Sequence, residues 1–254
     1  KKNDGVKLHE IMKEYSIKTS KTIYDIIKRN GVKKIGNKKY DVDENYFSII
    51  DDEHKAYWLG FLYADGYVRM KYNRSGELKL KLSSKDKEHL LLFNKCLSSN
   101  YPIKDSVSTI SYKGENSISN ISTLCIYNTK IVNDLIKVGC VSNKTFVIRL
   151  PKIQNLLYRH FIRGYFDGDG CLSESKKGNF TIKIISNELF IEDIKKYLLS
   201  IGLSKIYIRN NGRVKSLLIH NKKDCLIFKE LIYNNSSIYL DRKHEIFERL
   251  FNNS

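Results

Sequence analysis

No pair of cysteines in this sequence has metal-ligand spacing: Cys96, Cys125, Cys140, Cys171 and Cys225 stand far apart, and no C-x-x-C occurs. The odd count also argues against a disulfide framework. Neither structural zinc nor a cross-linked secreted fold is expected, and the thiols read as ordinary buried groups in a reducing compartment. Long apolar runs are missing as well. None approaches the roughly 20 residues that cross a bilayer, and the charged N-terminus lacks a signal-peptide pattern. The expectation is an intracellular protein (cytoplasm, organelle matrix or phage-infected cell) with no membrane partner. Acidic residues are the third shortage: 28 Asp and Glu face 45 Lys and Arg, a net charge of +17. An excess of that size points to a polyanion, because each neutralised phosphate releases condensed counterions. Charge alone leaves a merely soluble basic protein open.

What is present is a globular composition, 41% hydrophobic over 254 residues, enough for one large domain or two smaller ones. A repeat is visible within it. Trp58-Leu59-Gly60-Phe61-Leu62-Tyr63-Ala64-Asp65-Gly66 returns as Ile162-Arg163-Gly164-Tyr165-Phe166-Asp167-Gly168-Asp169-Gly170, nearly half the chain later. After each copy come a short apolar segment, a turn (near Asn73-Arg74-Ser75-Gly76, then near Lys177-Gly178-Asn179) and an alternating run. The runs are Leu78-Lys79-Leu80-Lys81-Leu82 and Phe180-Thr181-Ile182-Lys183-Ile184. That alternation predicts strands with one buried and one wet face, the wet face carrying Lys79, Lys81 and Lys183. Helices are predicted from Asp86 to about Leu97 and from Asn187 to about Ser200. The fold class is α+β: two pseudo-symmetric αββαββα repeats, at 51–150 and 151–254, behind a small helical domain at 1–50.

Each motif is predicted to close a helix. The first begins at Asp51-Asp52, which can cap it, and the second just after Pro151; Gly66 and Gly170 suit a left-handed C′ position. Gly60 and Gly164 inside the helices each cost about 1 kcal/mol relative to Ala, a cost that makes sense where two helix backbones must approach closely. Two such helices side by side bring Asp65 and Asp169 together at ends that already carry partial negative charge. Divalent cations relieve that repulsion, and paired carboxylates holding hard cations suit phosphodiester hydrolysis. The bland alternative, that D-G simply ends a helix, explains one motif more easily than two matched ones.

The two motifs resemble the signature of LAGLIDADG homing endonucleases of the single-chain, two-repeat kind, over residues 51–254. The resemblance implies antiparallel four-stranded saddles over DNA, cleavage of both strands and a divalent metal cofactor, Mg²⁺ with Ca²⁺ or Mn²⁺ able to stand in. It makes Asp65 and Asp169 metal ligands and catalytic residues, joined by the carbonyls of Ala64 and Gly168. It implies a basic shell for which Lys81 and Lys183, taken as matching strand positions, are candidates. Lys144 and Lys243 resemble the lysines that close each repeat, and any of the four could instead be surface charge. Arg69, Lys71, Lys79, Lys81, Lys183, Arg209, Arg213 and Lys215 are candidate DNA contacts. At the sixth motif position Tyr63 is replaced by Asp167, which is expected to be a helix-surface or packing residue and not a ligand.

Residues 1–50 read as two helices, Val6 to about Tyr15 and a second, capped by Ser20 after a turn at 16–19, running to Arg29. Leu8, Ile11, Met12, Ile23, Ile26 and Ile27 should point inward, with Asn30-Gly31 as the stop. The spacing resembles a helix-turn-helix whose Lys18, Lys21, Thr22 and Tyr24 would reach DNA; a helical cap on the rest is the alternative. A basic hairpin about Gly36-Asn37 is expected next. Partners are then long, largely asymmetric double-stranded DNA, with host intron RNA as a second candidate, bound by a monomer. An intron-RNA maturase and a non-cleaving DNA-binding regulator on the same scaffold stay open. An intein is disfavoured because His220-Asn221 is followed by Lys222.

Overall fold

Residues 6–31, 39–72, 75–112, 115–142, 147–174 and 180–252 are described in the computed structural model. Lys144, the expected hairpin about Gly36-Asn37, and the expected turn positions Asn73, Arg74 and 177–179 lie outside them. The chain forms two compact units, 1–41 and 42–254.

The first unit contains α1 (Leu8–Glu14) and α2 (Ser20–Arg29). Thr19, and not the expected Ser20, caps α2 by accepting the Thr22 amide at 3.4 Å, and Gly31, at φ +62°, follows its last turn. Ile11 and Ile23 are buried as expected, whereas Ile26 is 46% exposed. The segment just after Asp41 serves the second unit. Tyr46, Phe47 and Ile50 are buried in its core, with the Phe47 ring 6.5 Å from Phe93.

The second unit repeats one order of elements twice. The first pass runs α3 (Glu53–Asp65), β1 (Gly66–Met70), β2 (Gly76–Ser83), α4 (Lys87–Cys96), β3 (Ile103–Tyr112), β4 (Glu115–Ile126) and α5 (Thr129–Lys137). The second runs α6 (Tyr158–Asp169), β5 (Cys171–Glu174), β6 (Phe180–Ser186), α7 (Glu188–Ser200), β7 (Ile206–Asn211), β8 (Val214–Ile219) and α8 (Lys222–Tyr233), followed by α9 (Asp241–Asn252). Two four-stranded antiparallel sheets result, ordered β1-β2-β4-β3 and β5-β6-β8-β7. Alternation decides which face is buried. Leu78, Leu80 and Leu82 enter the core between Lys79 and Lys81, as Ile182 and Ile184 do on either side of Lys183.

Helices α3 and α6 pack through their glycines. A Cβ on Gly60 would overlap the Phe161 carbonyl, and one on Gly164 would overlap the Tyr57 carbonyl, so the contact is two-fold in character. Asp52 caps α3 through the Lys55 amide at 2.9 Å. Helix α6 starts at Tyr158, after a 3₁₀ turn at Asn155–Leu157, and so later than the position after Pro151 suggested. The expected left-handed caps are corrected too. Gly66 (φ −71°, ψ 147°) and Gly170 (φ −74°, ψ 159°) are extended. They are needed for space: a Cβ on Gly66 would meet the Leu62 side chain at 2.7 Å, and one on Gly170 would strike the Phe166 ring. Among the described residues no helix is long and apolar enough to cross a membrane.

Candidate metal and DNA site

Each motif aspartate is the last residue of its helix, exposed at the point where the chain turns into a strand. Close packing of α3 on α6 brings these two ends together. Asp65 Oδ2 lies 3.3 Å from where a Cβ on Gly168 would stand, and that Cβ would also overlap Ala64. Small residues before both aspartates are therefore a steric requirement of the helix pair. The two carboxylates act on the same neighbours. Burial first, then Asp169 and Asp65, raise the Tyr165 hydroxyl well above its usual range. Asp169 also lines a cavity of about 400 Å³ with Tyr63, Ala64, Tyr165 and Ile185.

Lys243, from α9, is almost fully buried beneath this site. Its ammonium donates to the carbonyls of Phe166 (2.7 Å), Gly168 (3.2 Å) and Gly170 (2.5 Å), closing the C-terminal end of α6. Burial pulls its pKa down to about 8, against the opposing pull of Asp167, Asp65 and Asp169. All three of its protons go to backbone oxygens, so whatever Lys243 contributes passes through the α6 terminus.

Register corrects one pairing expected from sequence. Lys79 stands opposite Tyr67 and Lys183 opposite Cys171, each partner two residues past a motif aspartate. The counterpart of Lys183 is thus Lys79; Lys81 corresponds to Ile185. Tyr67, Arg69, Lys79 and Lys81 share the wet face of the first sheet, as Lys183 and Arg209 share that of the second. Arg213 sits in the β7–β8 turn. Lys215 stands on the other face, held by Asn210 (2.7 Å) and Glu188 (3.1 Å), and is not grouped with Lys183. In the first unit Lys18, Lys21 and Thr22 are exposed and Tyr24 is half-buried.

Two features were not anticipated. Glu77, largely buried on the wet face of β2, takes Lys71 and Lys79 at 3.3 Å each and the Cys125 thiol at 3.5 Å. Burial alone would raise its pKa, but the two ammonium groups hold it below the usual carboxylate range. A lone acid in a basic alternating strand was its only sequence signal. The second feature is a buried polar network around Asp167, which is fully enclosed and accepts hydrogen bonds from Tyr57 (2.8 Å), Tyr233 (2.6 Å) and the Leu240 amide (2.7 Å). Its pairs lie far apart in sequence and leave no periodic trace.

A hard divalent cation takes oxygen ligands, and Mg²⁺ usually keeps several waters beside one or two carboxylates. Two exposed aspartates and the adjacent carbonyls of Ala64 and Gly168 fit that donor set. Among the described residues no cluster of three or more His, Cys, Asp or Glu adds to it.

Residues 157–233 match the LAGLIDADG-like domain family. Among solved structures, the homing endonuclease I-WcaI bound to its DNA recognition sequence is similar at 14% identity and a TM-score of 0.53, over 80% of this chain and 90% of that one. I-SmaMI bound to an uncleaved DNA target in the presence of calcium ions is similar at 11% identity and a TM-score of 0.51, over the same 80% and 90%. Full-length WhiA from Thermatoga maritima is matched at 19% identity and a TM-score of 0.49; 83% of this chain aligns, spanning 64% of that protein. No curated protein matches the sequence.

Proposed function

With the LAGLIDADG fold as premise, and a LAGLIDADG-like domain at 157–233, we propose that this chain is a site-specific, metal-dependent endonuclease of double-stranded DNA. The observation that carries this reading is the glycine packing of α3 on α6, which brings the Asp65 and Asp169 helix ends together, each leading into a sheet with lysine on its wet face. As a purely structural arrangement it is unfavourable, since two exposed carboxylates crowd the negative ends of two helix dipoles.

In this mechanism Asp65 and Asp169, with the carbonyls of Ala64 and Gly168, would hold the ions. When bound, divalent ions supply Lewis-acid polarisation of the scissile phosphate, a more acidic attacking water and charge for the leaving oxygen. Lys243 keeps the Gly168 carbonyl and the α6 terminus in place. Lys81 lies on the first-repeat side, where its charge meets phosphate. Arg69, Lys79, Lys183 and Arg209 hold the duplex along the two sheets, and Lys18, Lys21, Thr22 and Tyr24 of the first unit add further contacts. Two repeats in one chain suit a monomer on an asymmetric site.

The test is cleavage of a randomised duplex library with Mg²⁺, run beside Asp65→Asn and Asp169→Asn. The expected outcome is one long, narrowly defined cut sequence for the native chain, and binding without cleavage for both variants. Binding without cleavage by the native chain itself would overturn the nuclease reading in favour of a DNA-binding or intron-RNA role.

A further inference from the structure

Asp167 is adjacent to the site and takes no direct part in it. Its carboxylate is fully buried, and three donors already occupy it: the Tyr57 hydroxyl and Leu240 amide on Oδ2, the Tyr233 hydroxyl on Oδ1. Because Tyr57 gives its proton to Asp167, it accepts one from His89 Nε2 at 2.8 Å, which extends the network into α4. Such a group has no lone pair directed at solvent for a metal.

The connection from α8 to α9 depends on this network. Residues 234–240 form no helix or strand and run from Tyr233 to the start of α9. One turn before Asp167, the buried Arg163 donates to the carbonyls of Ile238 (2.7 Å) and Ile232 (2.8 Å) and pairs with Glu53 at 2.6 Å. Glu53 in turn accepts the Ser237 amide at 2.8 Å. Asp167 then fixes Leu240, the residue before α9, and three residues on Lys243 reaches back to Gly168. Burying a carboxylate and a guanidinium is costly unless every group is paired. Here each is paired with the segment that delivers Lys243.

The first repeat does the same job with opposite polarity. Tyr63, at the matching motif position, donates to the Val138 carbonyl at 2.6 Å, just past the end of α5. A hydroxyl donor there and a carboxylate acceptor here each anchor the chain that closes their repeat. This accounts for the difference between Tyr63 and Asp167 at the sixth motif position.

We infer that Asp167 is a positioning residue: by clamping Leu240 it sets helix α9 so that Lys243 holds the Gly168 carbonyl and the Asp169 end of α6 in working geometry. The catalytic part of this inference rests on the nuclease reading above.

A positional clamp tolerates a neutral isostere. In Asp167→Asn the retained oxygen still accepts Leu240 and Tyr57, while the amide nitrogen donates to the Tyr233 hydroxyl. Asp167→Asn should therefore cut within a few-fold of the native rate, unlike Asp169→Asn. Asp167→Ala should bind DNA within a few-fold of native yet cut bound DNA roughly tenfold or more slowly, the size expected of a small misplacement. Its amides over 240–247 should exchange faster, with β6 and β8 unchanged. Lys243→Met should lose a similar factor, and the double variant little more. Tyr233→Phe, which removes only one bond, should shift both readouts in the same direction by less, and it carries the test should Asp167→Ala not fold. Asp167→Asn as inactive as Asp169→Asn, additive losses with Lys243→Met, or native exchange in Asp167→Ala would each overturn the inference. If the native chain cuts no DNA, the nuclease reading fails and the catalytic role with it; exchange over 240–247 then still decides whether the clamp exists.

Discussion

Lys79 and Lys183 occupy the same register position in the two sheets, one opposite Tyr67 and the other opposite Cys171. Their surroundings differ. Glu77 holds Lys79 at 3.3 Å, and its counterpart beside Lys183 is Thr181, which offers no charge. Lys183→Ala should therefore weaken duplex binding more than Lys79→Ala and reduce the salt dependence by roughly one counterion. Titrations across a salt series check this; equal losses would contradict the asymmetry.

Glu77→Gln should act in the opposite direction. Removing the carboxylate releases Lys71 and Lys79, so non-specific affinity should rise and its salt slope steepen by up to about two counterions. Discrimination between duplexes should fall, because the two ammonium groups lose the partner that fixes them. Competition binding against random DNA reads both effects.

Gly164→Ala should destabilise the protein, reversing the usual gain of about 1 kcal/mol for this change in an exposed helix. The added methyl would overlap the Tyr57 carbonyl, a backbone atom that cannot turn aside. A loss of at least about 2 kcal/mol is expected, in the range for overpacked cores. Gly60→Ala should match it, since its methyl would overlap the equivalent Phe161 carbonyl. Urea unfolding measures both.

His89 makes the core sensitive to acid. Burial first, then Arg242, bring its pKa down to about 3 in the folded chain, below the ordinary value of 6.5. Between these values the unfolded chain takes up a proton that the folded chain refuses. Stability that is complete above pH 6.5 is therefore lost as pH falls through that window, by at most about 1.4 kcal/mol per unit. His89→Gln keeps a donor for Tyr57 and should flatten the pH dependence by that slope. The carboxylates Glu53, Asp134 and Asp224, all held below their usual range, contribute equally to both proteins.

Deleting residues 1–41, a compact unit by itself, should leave the cleavage chemistry of the remainder intact and relax or weaken recognition. Cleavage of a substrate library by the shortened chain tests it; unchanged affinity and sequence preference would remove the DNA-binding role proposed for Lys18, Lys21, Thr22 and Tyr24.

The sequence by itself determined whatever local rules control. Period-two alternation set the buried faces of β2 and β6. Asp52 capped α3 as its side-chain chemistry requires, whereas the cap of α2 fell on Thr19, one residue before Ser20. Two copies of a nine-residue motif revealed the repeat and singled out Asp65 and Asp169. Gly60 and Gly164 signalled close helix contact because a helical glycine is costly without one. Tertiary structure alone decided the rest. Strand register made Lys79, and not Lys81, the partner of Lys183, since alternation gives the face of a residue and not its neighbour across the ladder. Gly66 and Gly170 turned out to make room for Leu62 and Phe166 and not to adopt a left-handed backbone. Asp167, Tyr57, His89 and Tyr233 meet only after four helices have packed, and Lys243 reaches Gly168 from α9, three residues past the Leu240 that Asp167 holds. Such contacts join residues far apart in the chain, and local spacing carries no record of them.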